Sequence, residues 1–187
     1  MIGTREGRPV SIDLMSLCKF ARALALFLPM AGAPIAGGGE PVWAQGVGSE
    51  TQLPIPRFVS LRSDEVNLRA GPRTTYPVEW VYVRRDLPVE IVAEFDVWRK
   101  IRDWQGTTGW VHQSMLAGKR TVLITGGDRD LRREPAESAP IVARLASGVI
   151  GRLLECDESW CRIEAANYRG WLRQEEFWGT YPNETIE

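Results

Sequence analysis

The sequence predicts an all-β protein: two tandem small β-barrels behind an N-terminal export signal. The second part of the chain repeats the first, and apolar residues alternate in short runs bounded by turn residues. After residue 44, no window of 11 or more residues keeps a helical period. Composition agrees. Of 187 residues, 44% are hydrophobic and 25% charged, the balance of a folded chain rather than a disordered one. Eight Trp stand against five Phe and four Tyr, which favours twisted β modules or a binding surface over a Leu-rich helical core. The 23 basic and 24 acidic residues are well mixed, which argues against a nucleic-acid partner.

Lys19 and Arg22 precede the apolar stretch Ala23 to Ala36, and Gly37-Gly38-Gly39 and Val42-Trp43-Ala44 follow it. A basic region, an apolar region and a small-residue site, in that order, make a secretory signal. Pro29 and Pro34 interrupt the run, which is shorter than a membrane span of about 20 residues. We therefore expect residues 1–44 to be a signal peptide cleaved after Ala44, with translation from Met1 or Met15. The mature chain is expected in the periplasm or outside the cell, with no membrane insertion. Cys18 leaves with the signal, so Cys156 and Cys161 remain as an even pair, as an exported disulfide requires. Residues 45–57 read as an N-terminal linker.

The repeat is explicit. Val66-Asn67-Leu68-Arg69-Ala70-Gly71-Pro72 aligns with Arg129-Asp130-Leu131-Arg132-Arg133-Glu134-Pro135 at an offset of 63. Trp98-Arg99-Lys100-Ile101 aligns with Trp160-Cys161-Arg162-Ile163 at 62, and Gly109-Trp110-Val111-His112-Gln113 with Gly170-Trp171-Leu172-Arg173-Gln174 at 61. These alignments define a first barrel at 58–125 and a second at 126–187, with Gly126-Gly127-Asp128 as the linker. Within the first, Val89, Ile91, Ala93 and Phe95 alternate against Glu90 and Glu94, a half-buried strand. In the second, Ile150, Leu154 and Cys156 share a face. Trp110 and Trp171, set in short strands, are expected in the cores. Gln113–Leu116 and Gln174–Phe177 read as single helical turns.

The order Asn67-Leu68-Arg69-Ala70-Gly71-Pro72, then Trp98 with Ile101, then Gly109-Trp110-Val111, resembles the bacterial Src-homology-3-like domain family. The second copy departs at Arg133-Glu134, where that family usually carries a small residue and Gly. The resemblance implies two tandem Src-homology-3-like barrels that act outside the cytoplasm. It also implies binding of cell-wall material or protein segments, often alongside peptidoglycan hydrolases.

Catalytic material is sparse. His112 is the single His, and its repeat position holds Arg173. A cysteine peptidase or small cell-wall hydrolase using His112 is the rival to a binding module, and a structural part of an envelope complex is the third reading. One His and two spaced Cys fall short of a zinc ligand set, so no metal or other cofactor is expected. Cys156 and Cys161 bracket a turn, which brings them within bridging distance on facing strands. Aromatic residues are the stronger signal. Only the first copy carries Tyr76-Pro77-Val78-Glu79-Trp80; the second has Ala139-Pro140-Ile141-Val142-Ala143. We therefore expect ligand binding in the first barrel through Tyr76, Trp80 and Trp98, with Arg73 and Arg99 reading negative charge. The expected partners are cell-wall fragments or an envelope protein.

Overall fold

The computed structural model describes residues 46–157 and 159–187. The expected signal peptide and its cleavage point lie outside the described residues. Two short strands open the described chain, β1 (Gly46–Val47) and β2 (Pro54–Ile55), paired as a hairpin where a linker was expected. The first barrel follows: β3 (Arg57–Leu61), β4 (Val66–Arg69), β5 (Val78–Tyr82), β6 (Pro88–Phe95), β7 (Trp98–Arg102), β8 (Thr108–His112) and, after one 3-10 turn (Gln113–Met115), β9 (Leu116–Ala117). The second runs β10 (Thr121–Ile124), β11 (Arg129–Arg132), β12 (Ile141–Leu145), β13 (Ile150–Cys156), β14 (Trp160–Ala165), β15 (Tyr168–Arg173) and, after the 3-10 turn Gln174–Glu176, β16 (Phe177–Trp178).

Both sheets are antiparallel and have the same topology, β5-β4-β8-β7-β6-β3-β9 and β12-β11-β15-β14-β13-β10-β16. The repeat in the sequence is thus a repeat in the fold. One boundary moves. β10 pairs with β13 and β16, so it opens the second barrel instead of closing the first. The barrels join through Gly118–Arg120, and Gly126-Gly127-Asp128 becomes a loop inside the second.

Each long hairpin contains a bulge. Ile91 pairs with Ile101 and Ala93 with Lys100, leaving Val92 as the extra residue; Leu153 pairs with Ile163 and Glu155 with Arg162, leaving Leu154 extra. One extra residue reverses which face each later side chain takes. Phe95 therefore turns outward, and Glu94 turns inward opposite Arg99, contrary to the simple alternation. Leu153, not Leu154, joins Cys156 in the second core for the same reason. Trp110 and Trp171 are only half-buried; their neighbours Val111 and Leu172 fill the cores. Gly109 and Gly170 are required by close approach, because a Cβ on either would meet Leu68 or Leu131 at 2.6 or 2.7 Å.

The two barrels share one compact unit. Leu123 of β10, with Ile150 and Trp178, packs into the first barrel's core although all three belong to the second sheet. Phe58 meets Trp178 edge-on at 5.1 Å and Tyr181 at 4.8 Å. The Tyr181 hydroxyl donates to Glu90 at 2.9 Å, and Arg102 donates to the same carboxylate at 2.7 Å. Glu90, expected on the solvent face, is therefore 1% exposed beneath the second barrel. Burial, then the Glu90 charge, pushes the Tyr181 phenol well above its ordinary range. No helix among the described residues is long and apolar enough to cross a membrane.

Candidate functional site

A groove of about 620 Å³ opens on the first barrel between the β4–β5 loop and the β6–β7 turn. Pro72, Arg73 and Thr74 form one wall; Phe95, Trp98 and His112 form the other. The turn is tight because Asp96 adopts a left-handed conformation (φ 49°), which carries the chain from Phe95 back to Trp98 over two residues. Trp98 and His112 face each other across β7 and β8, with rings 5.6 Å apart and nearly perpendicular. His112 Nδ1 lies 2.7 Å from the Ser114 hydroxyl and 3.3 Å from the Ser114 amide, so Ser114 engages that ring nitrogen and Nε2 is the one left to meet a ligand. Arg73 is exposed and makes no ion pair among the described residues. An apolar wall, a guanidinium and an imidazole together suit a ligand with a flat apolar part and a polar or anionic group.

The five expected ligand residues do not converge. Arg73 and Trp98 meet in the groove. Tyr76 is 43% exposed but lies flat over Gly71, where any Cβ would sit 2.7 Å from its ring, so it fills the β4–β5 loop. Trp80 stands on β5 at the sheet edge, outside the groove. Arg99 is buried and occupied. It donates to the Asp96 and Trp98 carbonyls at 2.7 and 2.8 Å and to Gln113 at 2.8 Å, and it lies 3.5 Å from the Glu94 carboxylate. Three hydrogen bonds and an ion pair thus commit this buried cation to its own barrel. Phe95, and His112 as a binding rather than a catalytic residue, are the ones the sequence did not place in this groove. The pairing of Trp98 with His112 follows from the hairpin register, and the bulge that turns Phe95 outward leaves no mark in the sequence.

Glu94 anchors the chain beneath this region. Its side chain is fully buried and accepts from the Thr51 hydroxyl at 2.7 Å, Arg57 at 2.8 Å, and the Thr51 and Glu50 amides at 2.9 and 3.0 Å. Burial works to raise its pKa, but these donors outweigh burial and hold it down at about 2. At the same place in the second barrel stand Cys156 and Cys161, paired across β13 and β14 as Glu94 and Arg99 are across β6 and β7. They form the expected disulfide.

The second barrel's groove is smaller, about 350 Å³, and charged. Arg173 stacks on Trp160 at 5.0 Å, in the place of His112 on Trp98, and pairs with Glu137. Arg132 also reaches Glu137, at 3.8 Å, and Arg144 pairs with Asp130 at 2.8 Å. Arg132, Arg144 and Arg173 are thus each paired with a carboxylate of the same barrel.

Two like barrels, the first with a groove between its first loop and its central turn, define a tandem module of the Src-homology-3-like kind. The chain belongs to the bacterial SH3 domain family, whose model matches residues 62–118 and 129–179. Among solved structures it is similar to NlpC2 from Trichomonas vaginalis, at 13% identity over 67% of this chain and 49% of that one, with a TM-score of 0.32. It is also similar to NlpC1 from the same organism, at 15% identity over 77% and 52% with a TM-score of 0.32. An NlpC/P60 family protein from Bacillus cereus matches at 15% over 67% and 57%, with a TM-score of 0.30. The chain spans about half the length of these structures, and likenesses this distant say nothing about activity. No curated protein matches the chain.

Proposed function

We propose that the chain is a non-enzymatic binding protein acting outside the cytoplasm, whose first barrel takes a cell-wall fragment in the Arg73–Phe95–Trp98–His112 groove. The difference between the two grooves carries this reading: the arginines of the second pair with its own carboxylates, whereas the first keeps an aromatic wall beside Arg73, which has no ion pair among the described residues. Membership of the bacterial SH3 domain family supports a binding role, and the disulfide is compatible with export. A cysteine peptidase built on His112 would need a thiol, and Cys156 and Cys161 are bonded to each other. The test is calorimetric titration of the purified chain with soluble muropeptides. Arg73→Ala and His112→Ala should each weaken binding, and together by about tenfold or more, with circular dichroism unchanged. Trp98 is buried, so its truncation would mix stability with affinity. Release of new products from wall fragments, abolished by His112→Ala, would replace this reading with the hydrolase.

A further inference from the structure

Register sorts the side chains of β6, β7 and β8 into rows across the outer face of the first barrel. Phe95, Trp98 and His112 form the row that walls the groove. The next row is Ala93, Lys100 and Trp110. Two residues along a strand advance about 7 Å, so this row continues the wall at that distance. Lys100 and Trp110 are half-buried, and Lys100 makes no ion pair among the described residues. The second barrel treats the same row differently. There it reads Glu155, Arg162 and Trp171, and Arg162 pairs with Glu155 at 3.1 Å. Ala93 stands in the place of Glu155, so the first barrel keeps the cation and the indole without the carboxylate that would neutralise the cation. One row further on, Arg102 is committed to Glu90, which also accepts from Tyr181.

We infer that the groove extends into a second subsite, where Lys100 beside Trp110 takes a second carboxylate of a wall peptide whose first carboxylate meets Arg73. The inference rests on the wall-binding reading and adds to it the class of fragment, a peptide arm with two carboxylates rather than a neutral glycan. Charge selects this occupant. Arg73 and Lys100 are both cations without a carboxylate partner among the described residues, and each lies beside an indole, Trp98 or Trp110. Apolar rings thin the water around such a cation and strengthen its pairing with an incoming anion. Asp96, at the β6–β7 turn, is the one acidic residue lining the groove, and it disfavours an anionic group at that end. Two carboxylates are therefore best placed at Arg73 and Lys100.

Calorimetric titration tests it, with a muropeptide whose peptide carries two free carboxylates and with each of its two mono-amidated forms. The unaltered chain should bind the doubly charged form about fivefold tighter than either amidated form. Lys100→Gln should weaken the doubly charged form by the same factor and leave one amidated form unaffected, which a general loss of positive charge does not reproduce. Ala93→Glu, which sets the second barrel's carboxylate opposite Lys100, should repeat the Lys100→Gln loss, and Lys100→Arg should keep most of the affinity. Thermal melts of the variants, expected to match the unaltered protein, separate lost charge from lost fold. If the three muropeptides bind alike, or Lys100→Gln weakens all three equally or none, the subsite is overturned while the groove stands. If no muropeptide binds, the wall-binding reading is overturned and the subsite with it.

Discussion

Glu94 shows how one residue converts sequence into pH-dependent stability. Its pKa falls from an ordinary 4.5 to about 2 on folding, so the stabilisation is present above pH 4.5 and is lost as pH falls toward 2. The difference is worth on the order of 3 kcal/mol at neutral pH for a carboxylate buried this fully. Denaturant unfolding between pH 6 and 2.5 should show that loss. Glu94→Gln should lower stability at pH 6 and flatten the slope below 4.5, and an unchanged slope would assign the acid sensitivity to other carboxylates. None of this was legible in the sequence, where Glu94 occupies a solvent position of an alternating strand, because the bulge at Val92 reverses the face. Cys156 and Cys161 were legible because a pair of cysteines around a turn specifies its own partner. The departure at Glu134 also has a residue-level reason. In the first copy Tyr76 lies on Gly71; in the second, Ala139 replaces the ring at the repeat position, and a side chain is tolerated at 134.

Among elements, the two long hairpins solve one problem with different chemistry. Each must fix the inner end of a bulged strand pair and hold a terminal segment of the described chain against it. In β6–β7 the Glu94–Arg99 pair holds the turn at residues 48–53 through the Thr51 and Glu50 amides. In β13–β14 the disulfide does so, and Cys156 exchanges both backbone hydrogen bonds with Ile186, at 2.8 and 3.0 Å. Reduction should therefore loosen residues 184–187 and the Asp157–Trp160 turn while leaving the first hairpin protected. The closed ring is short, so its loss should cost near or below the low end of about 2–4 kcal/mol. Hydrogen exchange with and without reductant locates the effect; faster exchange throughout both barrels would show a wider role for the bond. β5 reads in the sequence as an aromatic loop at Tyr76–Trp80, whereas the long strands β6 and β13 were readable from alternation and from the repeat. The β1–β2 hairpin was not, because two-residue strands carry no period, and β10 was assigned to the wrong barrel because the matched repeat begins only after it.

At the scale of the whole molecule, the question is whether two barrels joined by three residues behave as one body. β10 supplies the argument. Its backbone hydrogen bonds lie in the second sheet, whereas Leu123 is buried in the first core, so neither barrel is complete without the other. Trp178 and Tyr181 close over Phe58, and Arg120 ties Glu184 by two hydrogen bonds of 2.9 Å. Separation would expose the apolar surface of Phe58, Leu123 and Trp178 to water, while Glu90 would exchange Tyr181 for water and keep Arg102. Calorimetry of the intact protein should therefore show one cooperative transition, not two. Trp178→Ala removes a ring wedged between the barrels and should cost about 3 kcal/mol. If the interface is what couples them, the loss will appear as splitting into two overlapping transitions rather than a simple downward shift. Tyr181→Phe removes only the hydroxyl and should lower the midpoint without splitting, because the Phe58 contact remains while Glu90 loses one donor. Two transitions in the unaltered protein would mean that the shared core is too weak to couple the barrels, and that each folds by itself.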